Sequence, residues 1–161
     1  MKILLIIILW LTGSFACYNT NTKKMDNILN NIKSLVTGDS VNKQVIESEL
    51  HIKLSEDKKE SATQGMLIYR LSSTLSDYLN AELRIFSGNT RFFLLLFPEY
   101  PIPLQLEELK KVYTYKSFTA GDVRRDELPG YEFETNGREV NFYCDEALDN
   151  IIQITVMGKT N

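Results

Sequence analysis

The sequence predicts an α+β fold: an antiparallel sheet of about six to seven strands, packed by an N-terminal amphipathic helix, with a second short helix. Three patterns in the 161 residues lead to this class. They are an apolar stripe with helical spacing near the start, an Asn-Gly turn between two alternating runs near the end, and short connections throughout. Short connections favour antiparallel pairing because parallel strands need long crossovers.

The first helix is predicted over residues 25–36. Its apolar residues recur with helical spacing and form one stripe: Met25, Ile28, Leu29, Ile32, Leu35 and Val36. Gly38 follows and suits a left-handed helix cap. Because the opposite face is rich in Asn and poor in Lys, we expect the stripe to pack on the sheet rather than on a membrane.

The next segment changes to a period of two. Residues 45–54 alternate between apolar and polar side chains, which predicts a half-buried strand. A charged connection over 55–61 and a second apolar run over 66–71 follow. Residues 72–80 fit a helical turn as well as a strand, so the pattern leaves both open.

The middle of the chain predicts a hairpin and then a helix. Residues 87–90 contain Gly-Asn and separate a strand ending at Phe86 from the apolar run 91–97. That run is apolar on both faces, which predicts a central strand covered on both sides. After three prolines, a short helix is predicted over about 104–113 and a loop over 116–130.

The C-terminal part carries a strong hairpin pattern. Asn136-Gly137 is the preferred two-residue turn, and it lies between alternating runs. The predicted pairs are Phe133 with Val140, Tyr131 with Phe142, and Glu134 with Glu139. The face with two opposed glutamates should be solvated. Cys144 shares the apolar face, which favours a buried, inert thiol, and a last strand is predicted over 151–157.

The first sixteen residues have the pattern of a secretory signal. Lys2 precedes an apolar run over residues 3–11, and small residues Ser14 and Ala16 lie just before Cys17. Nine apolar residues are too few to cross a bilayer of about 30 Å. We therefore expect a signal peptide over 1–16, a polar tether over 17–24, and a single globular domain over 25–161.

Residues 1–17, which end in Ser14-Phe15-Ala16-Cys17, resemble the signal of bacterial lipoproteins. The resemblance implies a lipid on Cys17, with the membrane as a partner through that lipid. Ordinary cleavage before Cys17 stays open, because Ser14 and Ala16 also suit signal peptidase. In that case a Cys17–Cys144 disulfide would become available, and the protein would be periplasmic or secreted.

No residues form a recognisable catalytic, cofactor-binding or metal-binding motif, so we expect no catalytic residue, no cofactor and no metal. His51 is the single histidine, and Glu47 and Glu49 on its predicted strand are more typical of a solvated face than of a metal site. The acidic loop 145–150 lacks EF-hand spacing. Acidic residues flank Arg124-Arg125, and a net charge of −3 gives no support for nucleic-acid binding.

Two surfaces are the best candidates for binding. The connection 97–103 places Phe97, Tyr100 and Ile102 among prolines, where rigid aromatic side chains make good contact anchors. The solvated hairpin face around Glu134, Arg138 and Glu139 is the second. The sequence therefore predicts an exported, lipid-anchored envelope protein that binds a ligand, or another envelope protein, without catalysis. The alternatives are a soluble inhibitor or immunity-type protein and, third, a hydrolase with scattered carboxylates.

Overall fold

A computed structural model describes residues 26–72, 77–86, 91–122 and 127–160. Within these residues nine strands form one antiparallel sheet, so the α+β class is confirmed and the expected count of six to seven strands is too low. The strands are β1 (Leu54–Glu56), β2 (Met66–Leu71), β3 (Tyr78–Phe86), β4 (Arg91–Pro98), β5 (Ile102–Pro103), β6 (Thr114–Thr119), β7 (Gly130–Thr135), β8 (Arg138–Cys144) and β9 (Asn150–Lys159). Their order in space is β1-β2-β3-β4-β9-β8-β7-β6, and β5 also pairs with β9.

Four helices accompany the sheet in the described part of the chain. They are α1 (residues 26–37), α2 (Lys43–Glu49), α3 (Lys58–Gln64) and α4 (Leu106–Val112). The segments predicted as helical at 25–36 and 104–113 correspond to α1 and α4, except that residue 25 lies outside the described residues. The other two helices occupy segments that were predicted to be strand and connection.

The strand predicted over residues 45–54 is wrong for most of its length, because residues 43–49 form α2. The Asn42 side chain begins this helix by accepting a hydrogen bond of 3.0 Å from the Val45 N–H. Ile46 and Leu50 lie one turn apart and are both buried. His51 follows at a φ of 53°, and the chain joins the sheet only at Leu54.

The charged segment 55–61 is also more than a connection. It completes β1 and begins α3, where the Asp57 side chain accepts a 3.0 Å hydrogen bond from the Glu60 N–H. Helix α3 continues the edge of the sheet beyond β1. Its Ser61 hydroxyl accepts a 2.9 Å hydrogen bond from the Ile68 N–H of β2. A polar group on the strand edge is thereby satisfied.

The hairpin at Asn136-Gly137 is confirmed. Both turn residues have positive φ, 50° and 69°, as a type I′ turn requires. The register joins the three predicted pairs: Phe133 with Val140, Tyr131 with Phe142, and Glu134 with Glu139. The loop predicted over 116–130 is wrong at its start, because the chain through Thr119 forms β6 and pairs with β7.

One hydrophobic cluster joins α1, α2 and α4 to the sheet. The stripe residues Ile28, Ile32, Leu35 and Val36 of α1 are all buried within it. From the sheet, every second residue of the central strands enters the same cluster: Phe92, Leu94 and Leu96 of β4, Ile154 and Val156 of β9, and Val140 and Phe142 of β8. The central strands therefore have one buried apolar face.

Arg138 connects this buried face to the end of α1. Its guanidinium donates hydrogen bonds to the carbonyl oxygens of Val36 at 2.8 Å, Gly38 at 2.5 Å and Asp39 at 3.4 Å. The last carbonyls of a helix have no partner within the helix and carry partial negative charge. A cation from the β7–β8 hairpin supplies that partner here. Its stem also covers Gly158, where an added Cβ would lie 2.8 Å from the Arg138 Cγ.

Replacing Arg138 should therefore destabilise the fold. We expect Arg138→Ala to lower the free energy of unfolding by about 2–4 kcal/mol, because it leaves buried carbonyls at a helix end without donors. Urea unfolding followed by circular dichroism measures this change. Lys111→Ala, which removes an exposed ion pair with Glu108, is the control and should cost less than about 1 kcal/mol. Equal small losses in both variants would contradict this role for Arg138.

Candidate functional site

The second face of the sheet carries an apolar strip that does not belong to the hydrophobic cluster. On β4, Phe93, Leu95 and Phe97 alternate with the buried residues and are only partly buried. Met157 of β9 pairs with Phe93 and continues the strip sideways. We call these four residues the open-face strip. On this side the cover expected for β4 is therefore only partial, because its residues are partly buried.

A network of ion pairs borders the strip on the β2–β3 side. Glu82 lies opposite Leu95 and is only 5 % exposed. Its two carboxylate oxygens bind Arg70 at 2.8 Å and Arg84 at 2.6 Å. Arg70 also pairs with Asp57 and Glu60, and its hydrogen bond to Glu60 raises the pKa of Arg70. On this side three carboxylates are thus paired with two guanidinium groups.

Carboxylates border the strip on the other side. Glu139 of β8 pairs with Met157 on one side and lies opposite Glu134 of β7 on the other. The Asn141 side chain donates a 2.9 Å hydrogen bond to Glu139. Lys116 binds Glu134 at 2.5 Å, and this hydrogen bond raises the pKa of Lys116. The two opposed glutamates are thus each stabilised by a neighbouring donor.

A cavity of about 630 Å³ opens at the end of the sheet where β4 begins and β9 ends. Its lining combines aromatic and apolar side chains with two cations and one carboxylate: Phe86, Arg91, Phe92, Phe93, Gly137, Glu139, Met157, Gly158 and Lys159. Arg91 and Lys159 lie directly opposite each other across β4 and β9. They share the face of the open-face strip, because each is two residues from a strip residue.

The predicted binding residues separate onto different parts of the molecule. Phe97 and Glu134 lie on the open face, in the strip and at its acidic border. Tyr100 is 45 % exposed in the connection after β4. Ile102 is 1 % exposed and Arg138 is 5 % exposed, so both belong to the interior rather than to a binding surface. Cys17 lies outside the described residues.

Burial of Ile102 and Arg138 has clear causes. Ile102 lies in β5, which pairs with β9 at Ile151 and so turns its side chain into the core. Arg138 is occupied by the carbonyls at the end of α1. The prediction that Ile102 and Arg138 are contact residues of a binding surface is therefore wrong, because both stabilise the interior of the fold.

The other residues that the sequence offered as candidate metal or catalytic groups have structural roles or are not gathered into a site. Glu47 belongs to α2 and not to a strand beside His51, and it binds Lys43 at 2.8 Å and the Leu54 N–H at 2.8 Å. Asp145 closes the acidic loop by accepting hydrogen bonds from Asp149 and Asn150. Among the described residues no three potential metal ligands come together. Arg124 and Arg125 lie outside the described residues.

The sequence did not lead us to place Phe93, Leu95 and Met157 on a candidate binding surface. Arg91 and Lys159 at the end of that surface were also not identified. The signal lies in the strands beside them. Glu82 and Arg84 alternate with apolar residues on β3, so the same face of β4 borders a charged surface. Charged and polar residues on the neighbouring strands would have shown that this face of β4 borders polar groups rather than a second apolar core.

Comparison with known proteins gives no relative from which a role could be transferred. Neither protein-family models, nor curated proteins, nor solved structures match this chain significantly. The functional argument therefore depends on the surface itself.

The buried thiol of Cys144 gives a direct chemical test of the core. Its side chain has no exposed surface, and burial, followed by the nearby Asp145 charge, raises the pKa of Cys144 to about 11. Because the thiolate is the reactive form, native protein should react with iodoacetamide at pH 8 at least about 100-fold more slowly than urea-unfolded protein. Intact mass measures this rate in a Cys17→Ala variant. Similar rates in both states would show that Cys144 is accessible.

Proposed function

We propose that this protein is an exported, lipid-anchored component of the bacterial envelope that binds a ligand without catalysis. The binding surface is the open face of the sheet. The single observation that carries this proposal is the open-face strip, a partly exposed apolar row bordered on both sides by charged residues. An apolar centre with a polar rim is the usual arrangement of a contact surface.

The paired carboxylates on both sides of the open-face strip support binding rather than catalysis at this face. Glu82 is held by two arginines, Glu134 by Lys116, and Glu139 by Asn141. Each carboxylate thus has a partner in the fold that holds it in position. Such groups define the edges of a surface and select a partner by charge.

The sheet gives this surface a rigid support. We infer that α1 packs on the buried face, because its stripe residues belong to the same hydrophobic cluster as the central strands. The Arg138 hydrogen bonds join the helix end to the hairpin. Binding residues on a sheet backed in this way keep their geometry better than residues on loops.

Anchoring through Cys17 is the part of the proposal that depends on the N-terminal signal. The described residues contain no helix long and apolar enough to cross a membrane. The alternative, a soluble inhibitor closed by a Cys17–Cys144 disulfide, requires a bond to a side chain with no exposed surface. Cys144 is a free, buried thiol, which agrees with the anchored form.

Lipidation is tested by replacing Cys17. We expect the wild-type protein to fractionate with membranes and to incorporate a fatty-acid label, whereas Cys17→Ala should be released into the soluble exported fraction. The matched control is Cys144→Ala, which should remain with the membranes. Unchanged membrane association of Cys17→Ala would contradict the anchor.

Binding at the open face is tested by photo-crosslinking in the native host. A benzoyl-phenylalanine replacing Phe93 or Phe97 should give an adduct of defined mass, because both side chains lie in the strip. The control position is Tyr115, which is 42 % exposed outside the strip and should give none. If neither strip position gives an adduct above the Tyr115 background, the open face is not the binding surface.

A further inference from the structure

Two cations meet at one end of the open face without a carboxylate between them. Arg91 of β4 and Lys159 of β9 are exposed, directly opposed residues of an antiparallel pair. Like charges in this position repel each other. Neither side chain forms an ion pair with a described residue, unlike Arg70, Arg84 and Lys116 on the same sheet. An anion placed between the two would remove the repulsion.

The surface beside these cations is apolar. The strand-end cavity of about 630 Å³ has Phe86, Phe93 and Met157 in its lining, next to Arg91 and Lys159. From there the strip continues along β4 through Leu95 to Phe97. With a rise of about 3.4 Å per residue, the distance from Arg91 to Phe97 is about 20 Å. A charged end and an extended apolar row therefore lie on one straight line.

We propose that the open face binds a single anionic amphiphile, with its carboxylate or phosphate head between Arg91 and Lys159 and its hydrocarbon chain along β4. Contacts with Phe93 and Met157 hold the first part of the chain, and Leu95 and Phe97 hold the rest. Glu139 also lines this cavity, and its charge disfavours a second anion there. This assignment rests on the proposed function, since it names the ligand of the same face.

The first test varies the head group of the amphiphile. The Cys17→Ala protein, which needs no detergent, is titrated calorimetrically with dodecanoate and dodecyl phosphate below their critical micelle concentrations, and with dodecanol. We expect saturable one-to-one binding of both anions and at least about tenfold weaker binding of the alcohol, since pairing with a cation is lost. Equal affinities for dodecanoate and dodecanol would overturn the assignment.

The two cations are tested by a double substitution. Arg91→Gln with Lys159→Gln should weaken dodecanoate binding at least about tenfold. The matched control is Lys58→Gln with Lys59→Gln, which removes two exposed cations from α3 and should change the affinity less than about twofold. Equal losses in the two double variants would show that net charge, and not this cation pair, attracts the anion.

The chain direction is tested by the series octanoate, decanoate and dodecanoate. Each added pair of methylenes should tighten binding in the wild type by up to about fifteenfold, the value for complete burial. Leu95→Gln should flatten this dependence for the longer members, whereas Leu67→Gln, at an exposed leucine of β2, should not. The same dependence in Leu95→Gln as in the wild type would overturn the placement of the chain.

Two further outcomes separate this assignment from the proposed function. Binding to anionic vesicles without one-to-one binding of monomeric dodecanoate would assign the cations to a membrane surface and overturn the single-ligand proposal. Adducts at Phe93 and Phe97 in the native host, combined with no dodecanoate or dodecyl phosphate binding, would leave the open face as a binding surface and remove the amphiphile. Absence of both would remove the two proposals together.

Discussion

The structure depends on the strict alternation of side chains along the central strands β4 and β9. Successive residues of a strand point to opposite faces, so an apolar strand must supply both a core and a second surface. On β4 one set of residues, Phe92, Leu94 and Leu96, enters the hydrophobic cluster. The other set, Phe93, Leu95 and Phe97, lies outside that cluster and is only partly buried. The binding surface is therefore a direct consequence of the pairing that builds the core.

The neighbouring strands turn this apolar row into a bounded surface. Antiparallel register places Glu82 beside Leu95 on one side and Glu139 beside Met157 on the other. The same register places Arg91 against Lys159 at the strand ends. The partners that hold the border carboxylates are part of the fold, whereas the two cations at the end have none among the described residues. Carboxylates outnumber cations by one along each side of the open face, whereas two cations meet at one end, which gives the surface a direction.

Local chemistry explains which elements could be predicted from sequence. The Asn136-Gly137 hairpin needed only its turn residues and the alternation beside them, and both its register and the burial of Cys144 follow. Helix α2 was missed because buried residues four apart, Ile46 and Leu50, fit a period of two as well as a helical turn. The Asn42 side-chain cap was the local signal that distinguished them.

The site was harder to predict because its parts meet only through long-range register. Phe97 and Glu134 were chosen from separate segments, and the sheet brings them to one face. Ile102 and Arg138 looked equally suitable, but the β5 pairing and the end of α1 draw them inside. The most direct measurement is maleimide reactivity of single cysteines along β4 in a Cys17→Ala, Cys144→Ala background. Leu95→Cys and Phe97→Cys should react rapidly and Leu94→Cys and Leu96→Cys slowly, and uniform protection of all four would contradict an open face.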